Sequence, residues 1–331
     1  MKRTILLIGG AGYVGTVLTD HFLSQGFSVR VIDNFTYENQ FAVASFIGNS
    51  NYSIHYGDMT IEDELDRVCD ESLDYVVLLA GLVGDPITKK YPDLHQKVNV
   101  DGIKKVIDYF DDKSIQKLLF ISTCSNYGLI ETGELADENF DLKPLSLYAE
   151  AKVDAEKYIL SKKNKVAYSA TILRFATAFG LSPRMRFDLT VSEFARTLYF
   201  NKTLKVFDEN TWRPYCHVRD FARLINIVLD AERRKVDFEV FNAGGEGNNF
   251  TKQMIVDAIL SQIPQGRVEY SGSGSDPRNY KVSFKKVFDR LGFTPAYSVE
   301  DGIIELIKAL KMGLYSDNLD DLGFGNYIIK K

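Results

Sequence analysis

The chain has 331 residues, of which 45% are hydrophobic, and carries a formal net charge of −5 at neutral pH. This length suits one large α/β domain or two smaller ones with a substantial core. Basic residues are scattered, so they form no stripe typical of nucleic-acid binding, and no run of roughly 18 apolar residues predicts a membrane span.

The cysteines and histidines favour a protein without a metal site. Cys69, Cys124 and Cys216 are widely spaced, and with four separated histidines they form no zinc-binding pattern. The chain begins with a short polar stretch that leads directly into a strand-like run. We therefore expect a cytoplasmic protein without a signal peptide, a membrane anchor or a bound metal.

Apolar runs of strand length alternate with helical patterns through the first half of the chain. The predicted strands are Thr4–Ile8, 28–32, Tyr52–Tyr56, 75–79, 118–121 and 167–174, and the predicted helices are 14–24, 98–110 and 149–161. Strands that alternate with helices form a parallel sheet covered on both faces. The order predicts an α/β fold with a doubly wound, parallel Rossmann sheet of six strands.

After Gly180 the alternation of strand and helix patterns becomes less regular. Helices are predicted over 190–200, 218–232, 252–263 and 299–310, with short strands near Leu204 and Val240. We interpret this part as a smaller mixed α/β lobe that binds the substrate. The predicted division is a dinucleotide-binding domain over 1–180 and a substrate lobe over 181–331, with chain segments able to cross between them. The tail over 315–331 shows no interpretable pattern.

A glycine-rich turn follows the first predicted strand. It satisfies the Gly-x-Gly-x-x-Gly pattern from Gly10 to Gly15, and the wider Gly-x-x-Gly-x-x-Gly pattern from Gly9 through Gly12. Glycines at these positions permit a tight turn and let a pyrophosphate approach the N–H groups that begin the next helix. The same turn could be a simple strand-to-helix connection, but its context favours a dinucleotide site.

Two carboxylates end the next two predicted strands. Asp33 can accept hydrogen bonds from both hydroxyls of an adenosine ribose and would repel a 2′-phosphate. No arginine or lysine occurs over 34–37, so the sequence favours NAD over NADP. Asp58 could accept a hydrogen bond from the adenine amino group, although it could equally be an ordinary loop aspartate.

Tyr148 and Lys152 are four residues apart on a predicted helix, so they share one face. A phenol with a pKa near 10 needs a shift of roughly three units, about 4 kcal/mol, to be half ionised at neutral pH. Lys152 and an oxidised nicotinamide, both cationic, would favour the phenolate, which makes Tyr148 a candidate general base. Thr123 ends the fifth strand and could hydrogen-bond the reacting oxygen, with Cys124 beside it as a small lining residue.

Each of these residues also has a structural interpretation. Tyr-x-x-x-Lys is common by chance, and a threonine that closes a strand is ordinary. Their combination, however, resembles the extended short-chain dehydrogenase/reductase family, and within it the nucleotide-sugar epimerases, dehydratases and dehydrogenases. The residues that carry this resemblance are the glycine turn, Asp33, Asp58, Leu79, Ala80, Gly81, Asn99, Val100, Asp101, Gly102, Ser122, Thr123, Tyr148, Lys152, Arg174 and Phe175.

The resemblance implies specific roles. It makes Thr123, Tyr148 and Lys152 the catalytic set. It implies NAD contacts from Gly9, Gly12, Tyr13, Val14, Asp33, Asn34, Asp58, Met59, Leu79, Ala80, Gly81, Asn99, Tyr148, Lys152 and Phe175. Asn99 can equally be a buried amide that kinks its helix. A homodimer formed through the helices near Asn99 and Tyr148 is also implied.

The second lobe resembles the family's sugar-nucleotide lobe over 180–187, 212–220 and 276–280. Arginine suits a diphosphate because its planar guanidinium binds phosphate oxygens in pairs. Each arginine alone could be a surface ion pair. The implied substrate contacts are Asp85, Thr123, Asn126, Thr177, Arg184, Arg186, Arg213 and Arg278.

The sequence departs from the family's dehydratases in one place. Those enzymes carry an Asp-Glu pair directly after the catalytic threonine, whereas this chain has Cys124 and Ser125. Without that acid and base, elimination of water lacks a proton donor. We therefore expect hydride chemistry at C4 of the sugar and no dehydratase activity.

Three functions follow as hypotheses. The first is NAD-dependent oxidation at C4 of a nucleotide-linked sugar in cell-surface polysaccharide biosynthesis (capsule or lipopolysaccharide), with GDP-manno-heptose as the expected substrate. The alternative is a nucleotide-sugar 4-epimerase with tightly held NAD. The third is a non-catalytic dinucleotide-sensing protein, which is disfavoured because both Tyr148 and Lys152 are present.

Overall fold

A computed structural model describes residues 2–130, 134–272, 274, 278–318, 324–326 and 328–329. Asp276 and Pro277, which belong to the third predicted substrate cluster, lie outside these described residues. The strands are β1 Thr4–Ile8, β2 Ser28–Asp33, β3 Tyr52–Tyr56, β4 Tyr75–Leu78, β5 Lys117–Thr123, β6 Leu135–Ala136, β7 Ser169–Phe175, β8 Thr177–Phe179, β9 Leu204–Phe207, β10 Trp212–His217, β11 Glu239–Ala243, β12 Asn249–Thr251, β13 Val268–Ser271 and β14 Lys281–Val282.

The α-helices are α1 Tyr13–Ser24, α2 Glu62–Asp66, α3 Asp85–Lys90, α4 Pro92–His95, α5 Ile103–Tyr109, α6 Leu147–Ser161, α7 Thr190–Tyr199, α8 Val218–Asp230, α9 Arg233–Val236, α10 Lys252–Leu260, α11 Lys285–Leu291 and α12 Val299–Lys311. Turns of 3₁₀ helix span Gln40–Phe46, Cys124–Tyr127 and Glu246–Asn248, and a π-helix spans Gln96–Gly102. No helix within these described residues is both long and apolar enough to cross a bilayer.

Seven described strands form one parallel sheet in the order β11-β7-β5-β4-β1-β2-β3. The order reverses between β1 and β4, which is the point where ligands bind in doubly wound folds. The predicted fold class is confirmed. The expected count of six strands is wrong, because the strand near Val240 joins this sheet at β7 rather than the second lobe.

Alternating side chains of the strands serve two cores. On β5, Leu119 packs into the core beneath α1 and α8, whereas Leu118 and Phe120 point into the core beneath α5 and α6. Because both faces are covered, the central strands are apolar on both sides. All seven residues of β5 are buried, which holds its carboxyl end, and therefore Thr123, in a fixed position.

The second lobe has its own core. Helices α7, α10 and α12 pack against a small sheet of order β12-β10-β8 and the paired strands β9 and β13. Helix α8 and strand β11 follow residue 180 in the chain, yet both pack with the large sheet. The chain therefore returns to the first part after entering the second, and a division at residue 180 stays a prediction.

The helix predicted over 98–110 begins as the π-helix and continues as α5. Asn99 lies buried inside the π-helical turn, where its Oδ1 accepts from the Leu82 amide at 2.7 Å and its Nδ2 donates to the Leu82 carbonyl at 2.9 Å. A residue inserted into the helix widens one turn. This amide thereby holds the loop that follows β4.

A buried ion pair lies behind the catalytic end of β5. Arg174 on β7 donates through Nη2 to Oε2 of Glu156 at 2.7 Å, and the two side chains are 6% and 3% exposed. Oε1 of Glu156 also accepts from Ser122 and, at 2.8 Å, from Nδ2 of Asn126. The carboxylate therefore connects α6, β5 and β7 just behind Thr123.

Substitution of Glu156 by glutamine is expected to lower the free energy of unfolding by about 3 to 5 kcal/mol, because the Arg174 charge stays buried without its counter-charge. Urea unfolding followed by circular dichroism measures this. The control is Asp289→Asn, which breaks the exposed pair with Lys285 and is expected to change stability by less than about 0.5 kcal/mol. Equal effects of the two substitutions would contradict the prediction.

Candidate active site

A cavity of about 560 Å³ opens at the carboxyl ends of β1 and β4, between the large sheet and the second lobe. This volume is in the range of small-molecule and cofactor sites. The predicted site residues that line it are Gly9, Gly12, Tyr13, Val14, Asp33, Asn34, Asp58, Met59, Leu79, Ala80, Gly81, Asp85, Thr123, Tyr148, Lys152, Phe175, Thr177, Arg184, Arg186, Arg213 and Arg278. Folding therefore brings the predicted cofactor-binding, catalytic and substrate-binding residues into one cleft.

The glycine turn forms one wall of the cavity. Gly9 has a positive φ of 84°, and a Cβ there would lie 2.7 Å from the Cα of Ala80. At Gly12, by contrast, a Cβ would meet no atom closer than the Gly9 carbonyl oxygen at 3.5 Å, because that position faces the cavity. Helix α1 starts here with no side-chain cap and no acidic residue in its first turn. Its N–H groups suit a pyrophosphate.

Asp33 marks the end of the cavity farther from the catalytic set. Its two oxygens accept from the backbone amides of Ala11 at 3.0 Å and Phe35 at 2.8 Å, which orient the carboxylate. Burial raises the pKa of Asp33, and the two amide hydrogen bonds partly offset this. Asp58 is oriented by the Thr60 amide at 2.9 Å. These groups and the bare helix terminus fit an adenosine diphosphate.

At the other end lie Thr123, Tyr148 and Lys152. The Lys152 ammonium donates to the Ile121 carbonyl at 2.7 Å and lies 5.9 Å from the centre of the Tyr148 ring. Burial lowers the pKa of Lys152 to about 7 and raises the pKa of Tyr148 above its ordinary value. In this structure the strongest charge effect that lowers the Tyr148 pKa comes from Arg186, not from Lys152 as expected.

Two substrate-lobe arginines adjoin the catalytic end. Arg278 pairs with Oδ2 of Asp85 at 3.2 Å. Arg213 donates to the carbonyl oxygen of Arg278 and lies 4.9 Å from the Tyr280 ring centre. Arg213 is therefore bound to the backbone of Arg278, and both arginines line the cavity; their guanidinium groups suit the oxygens of a diphosphate.

The other two predicted arginines, Arg184 and Arg186, have contacts of their own within the chain. Arg186 makes a two-point contact with Asp188, with N···O distances of 3.0 and 2.5 Å. Arg184 is buried over the Tyr37 ring, 5.2 Å from its centre, and burial lowers its pKa to about 10. It also contributes to the electrostatic environment of Asp33. The structure thus places Arg184 on the cavity wall near Asp33, and its predicted substrate contact stays a prediction.

Some predicted residues do not line the cavity. Asn99 supports the Leu82 backbone from behind, and Asn126 is bound to Glu156. Cys124 is not a lining residue either, because its Sγ faces the Arg174 carbonyl at 3.1 Å and the thiol is buried. Burial raises the pKa of this thiol. Cys124 and Asn126 thus direct their side chains toward β7 and α6, whereas Asn99 is bound to the loop after β4.

The structure also adds residues that the sequence analysis missed. Tyr37, Asn39, Asp188 and Asn326 all line the cavity. The Tyr37 hydroxyl is buried and has no hydrogen-bond partner among the described residues. Of these residues, only Asp188 could have been predicted from the sequence, because it follows Arg186 by two residues. Asn326 lies in a tail without an interpretable pattern.

Comparison with known proteins agrees with this geometry. A model described as the NAD dependent epimerase/dehydratase family matches residues 5–244. The chain belongs to this family. It is therefore an enzyme of the NAD-dependent epimerase/dehydratase type, and NAD is its cofactor.

Relatives within the family differ in chemistry. The UDP-glucuronate 4-epimerase of Thermodesulfobacterium geofontis is 24% identical over 330 residues, covering 93% of this chain and 99% of the relative. The dTDP-glucose 4,6-dehydratase of Streptomyces niveus is 26% identical over 316 residues, covering 92% and 91%. Membership alone therefore does not choose between epimerisation and dehydration.

Solved structures share the fold. The UDP-glucose 4-epimerase of Thermotoga maritima, solved with UDP-glucose, has a TM-score of 0.83 at 23% identity and covers 95% of this chain and 100% of that chain. The UDP-glucuronic acid 4-epimerase of Bacillus cereus, solved with UDP-glucuronic acid and NAD, has a TM-score of 0.82 at 22% identity with the same coverage.

The role of Tyr148 is tested by Tyr148→Phe, which is expected to lower kcat by roughly 10² to 10⁴ because the general base is lost. NAD content and melting temperature should not change. Tyr158→Phe is the matched control, since Tyr158 lies on the same helix but donates to Asp108 at an exposed position. A Tyr148→Phe enzyme with more than a tenth of wild-type activity would refute this role.

The influence of Arg186 is tested by the pH dependence of kcat/KM. The charged groups that act on Tyr148 include Arg186, Asp85 and Arg278. Arg186→Met removes a cation that favours the phenolate, so the Tyr148 pKa rises and the acidic limb moves upward by roughly one pH unit. Asp188→Asn removes the carboxylate that offsets Arg186 and should move the limb downward. Shifts in the same direction would be inconsistent with this electrostatic role.

Proposed function

We propose that the protein is a 4-epimerase of a nucleoside-diphosphate sugar that retains NAD through the catalytic cycle. The observation that carries the proposal is that Tyr148, Thr123 and the dinucleotide turn line one cavity together with the paired Arg213 and Arg278. The UDP-sugar 4-epimerases among the relatives support the reaction type. They support it better than net oxidation of GDP-manno-heptose, for which these relatives offer no support.

Tyr148 is the proposed base for the C4 hydroxyl of the sugar, and Thr123 hydrogen-bonds the same oxygen while it becomes a ketone. NAD supplies the acceptor for the C4 hydride when it is bound. Lys152 fixes the catalytic end through its bond to the Ile121 carbonyl. Tyr148 would give its proton back to the C4 oxygen when the hydride is returned to the opposite face of the ketone, so that no net oxidation would remain.

The residues around Thr123 argue against dehydration. The Cys124 thiol is buried and faces a carbonyl oxygen, and Ser125 lies 3.3 Å from the Tyr280 hydroxyl. Neither is a carboxylic acid able to protonate a leaving hydroxyl. The nearby carboxylate Asp188 is paired with Arg186, whose charge outweighs the effect of burial and lowers the pKa of Asp188, and Asp85 is paired with Arg278.

Several finer features remain proposals. We assign the diphosphate to Arg213 and Arg278, and the adenosine ribose of NAD to Asp33. The unpartnered, buried Oδ1 of Asp85 is a candidate acceptor for a sugar hydroxyl. Homodimerisation through the helices near Asn99 and Tyr148, a cytoplasmic location and a role in cell-surface polysaccharide synthesis also stay predictions.

Incubation of the holoenzyme with UDP-glucose, UDP-glucuronate and GDP-manno-heptose in deuterated water, followed by proton NMR, tests the proposal. A 4-epimerase gives the C4-inverted sugar, keeps protium at C4 because the hydride never exchanges with solvent, and accumulates no NADH. A ketone formed in equal amount with NADH would instead support a dehydrogenase. A 4-keto-6-deoxy product would overturn both this proposal and the inference from Cys124 and Ser125.

A further inference from the structure

Three residues near the end of the chain, Phe324, Gly325 and Asn326, reach the cavity through Asn326, which lines it, and we call them the C-terminal segment. Their backbone is fixed to the second lobe: the Phe187 amide donates to the Phe324 carbonyl at 3.0 Å, and Nη2 of Arg184 donates to the Gly325 carbonyl at 3.1 Å. The segment is therefore attached to the loop that carries the two arginines Arg184 and Arg186.

The Phe324 ring connects this lobe to the dinucleotide-binding half. It lies edge to face with Phe187 and Tyr315, with centroid distances of 6.1 and 5.4 Å. On its other side it meets Phe41, at 5.6 Å and an interplanar angle of 88°. Phe41 belongs to the 3₁₀ helix that follows Asp33. Such edge-to-face contacts stabilise beyond their buried area.

Asn326 continues the segment to the opposite wall. It is only 9% exposed, it lines the cavity, and its Nδ2 lies 3.5 Å from the carbonyl oxygen of Val83 in the loop after β4. The segment thus extends from the Asp33 side of the cavity to the loop that Asn99 supports.

The contacts of the C-terminal segment connect it with the Asp33 end of the cavity. Its partner Arg184 lies over the Tyr37 ring and also acts on the carboxylate of Asp33, and the buried Tyr37 hydroxyl has no hydrogen-bond partner among the described residues. Phe324 contacts Phe41, which follows Asp33 in the chain, and Gly325 is bound to Arg184. The chemistry at this end fits a dinucleotide, because an unpaired hydroxyl donor and a buried guanidinium both favour phosphate or ribose oxygens.

We propose that the C-terminal segment is part of the NAD site and closes it, so that Phe324 and Asn326 set the rate at which NAD leaves. The inference rests on the proposed function in one respect only: an epimerase must return the hydride before the cofactor departs, so the rate of NAD release would affect turnover. Its structural content is separate, because it concerns the contacts that join Phe324 to Phe41 and Asn326 to Val83 around the cavity.

The test uses holoenzyme and measures release of NAD in the presence of alcohol dehydrogenase and ethanol, which convert released NAD to NADH at 340 nm. Phe324→Ala and Asn326→Ala are expected to accelerate release roughly ten-fold, equivalent to about 1.4 kcal/mol. Ile328→Ala is the matched control in the same tail, because Ile328 is exposed; it should release NAD at the wild-type rate.

A double-mutant cycle identifies the contact. If Phe324 acts through Phe41, then Phe41→Ala also accelerates release, and Phe41→Ala/Phe324→Ala is no faster than the faster single variant. The KM for the nucleotide sugar should stay within two-fold of wild type. Release within two-fold of wild type in both Phe324→Ala and Asn326→Ala would overturn the proposal, and Asn326→Ala alone decides if Phe324→Ala fails to fold.

The two proposals fail in different ways. If the segment has no role, wild type still inverts C4 and both segment variants still retain NAD. If the proposed function is wrong, no C4-inverted sugar forms with the wild-type protein, while the change in NAD release caused by Phe324→Ala and Asn326→Ala remains measurable.

Discussion

The site depends on a close approach between two turns. Gly9 ends β1 and lies so near the backbone of Ala80, after β4, that a single added carbon would lie 2.7 Å from it. This approach brings together the two loops at which the strand order reverses. One loop presents the bare start of α1 and the other is held by Asn99. Without this contact the crevice would not have its two walls.

Charge in the cavity is mostly arranged in pairs. Arg186 with Asp188 and Arg278 with Asp85 line the cleft, and Arg174 with Glu156 lies behind Thr123. A buried charge without a partner is costly, whereas a paired one holds its geometry before any ligand arrives. Lys152 is held differently: its ammonium donates to a carbonyl oxygen, and burial lowers its pKa to about 7. The catalytic helix therefore carries a cation that gains or loses its proton near neutrality.

The sequence predicted the parts of the site that depend on backbone pattern. A glycine turn after a strand, Asp33 at a strand end and Tyr148 one turn before Lys152 are local features, and the fold positions them without further information. The fold class followed from the alternation of strands and helices for the same reason. Thr123 also follows this rule, because the carboxyl ends of parallel strands meet at one edge.

Long-range contacts could not be predicted in this way. Cys124 and Asn126 follow Thr123 by one and three residues, yet a 3₁₀ turn directs their side chains toward Arg174 and Glu156. Arg184 lies near Asp33 only because the second lobe folds back over the dinucleotide half. The strand near Val240 pairs with β7 across more than sixty residues of chain, a separation at which periodicity gives no information about the partner.

Strand β11 determines how the protein can be divided into fragments. Strand β7 has β5 on one side and β11 on the other, and β11 emerges only after α7, β9 and β10 of the second lobe have been synthesised. A fragment that stopped near residue 180 would therefore expose β7 as an apolar, unpaired edge, the kind of surface that recruits other chains. The two lobes are consequently interdependent during synthesis: the first is completed only by chain that has already passed through the second.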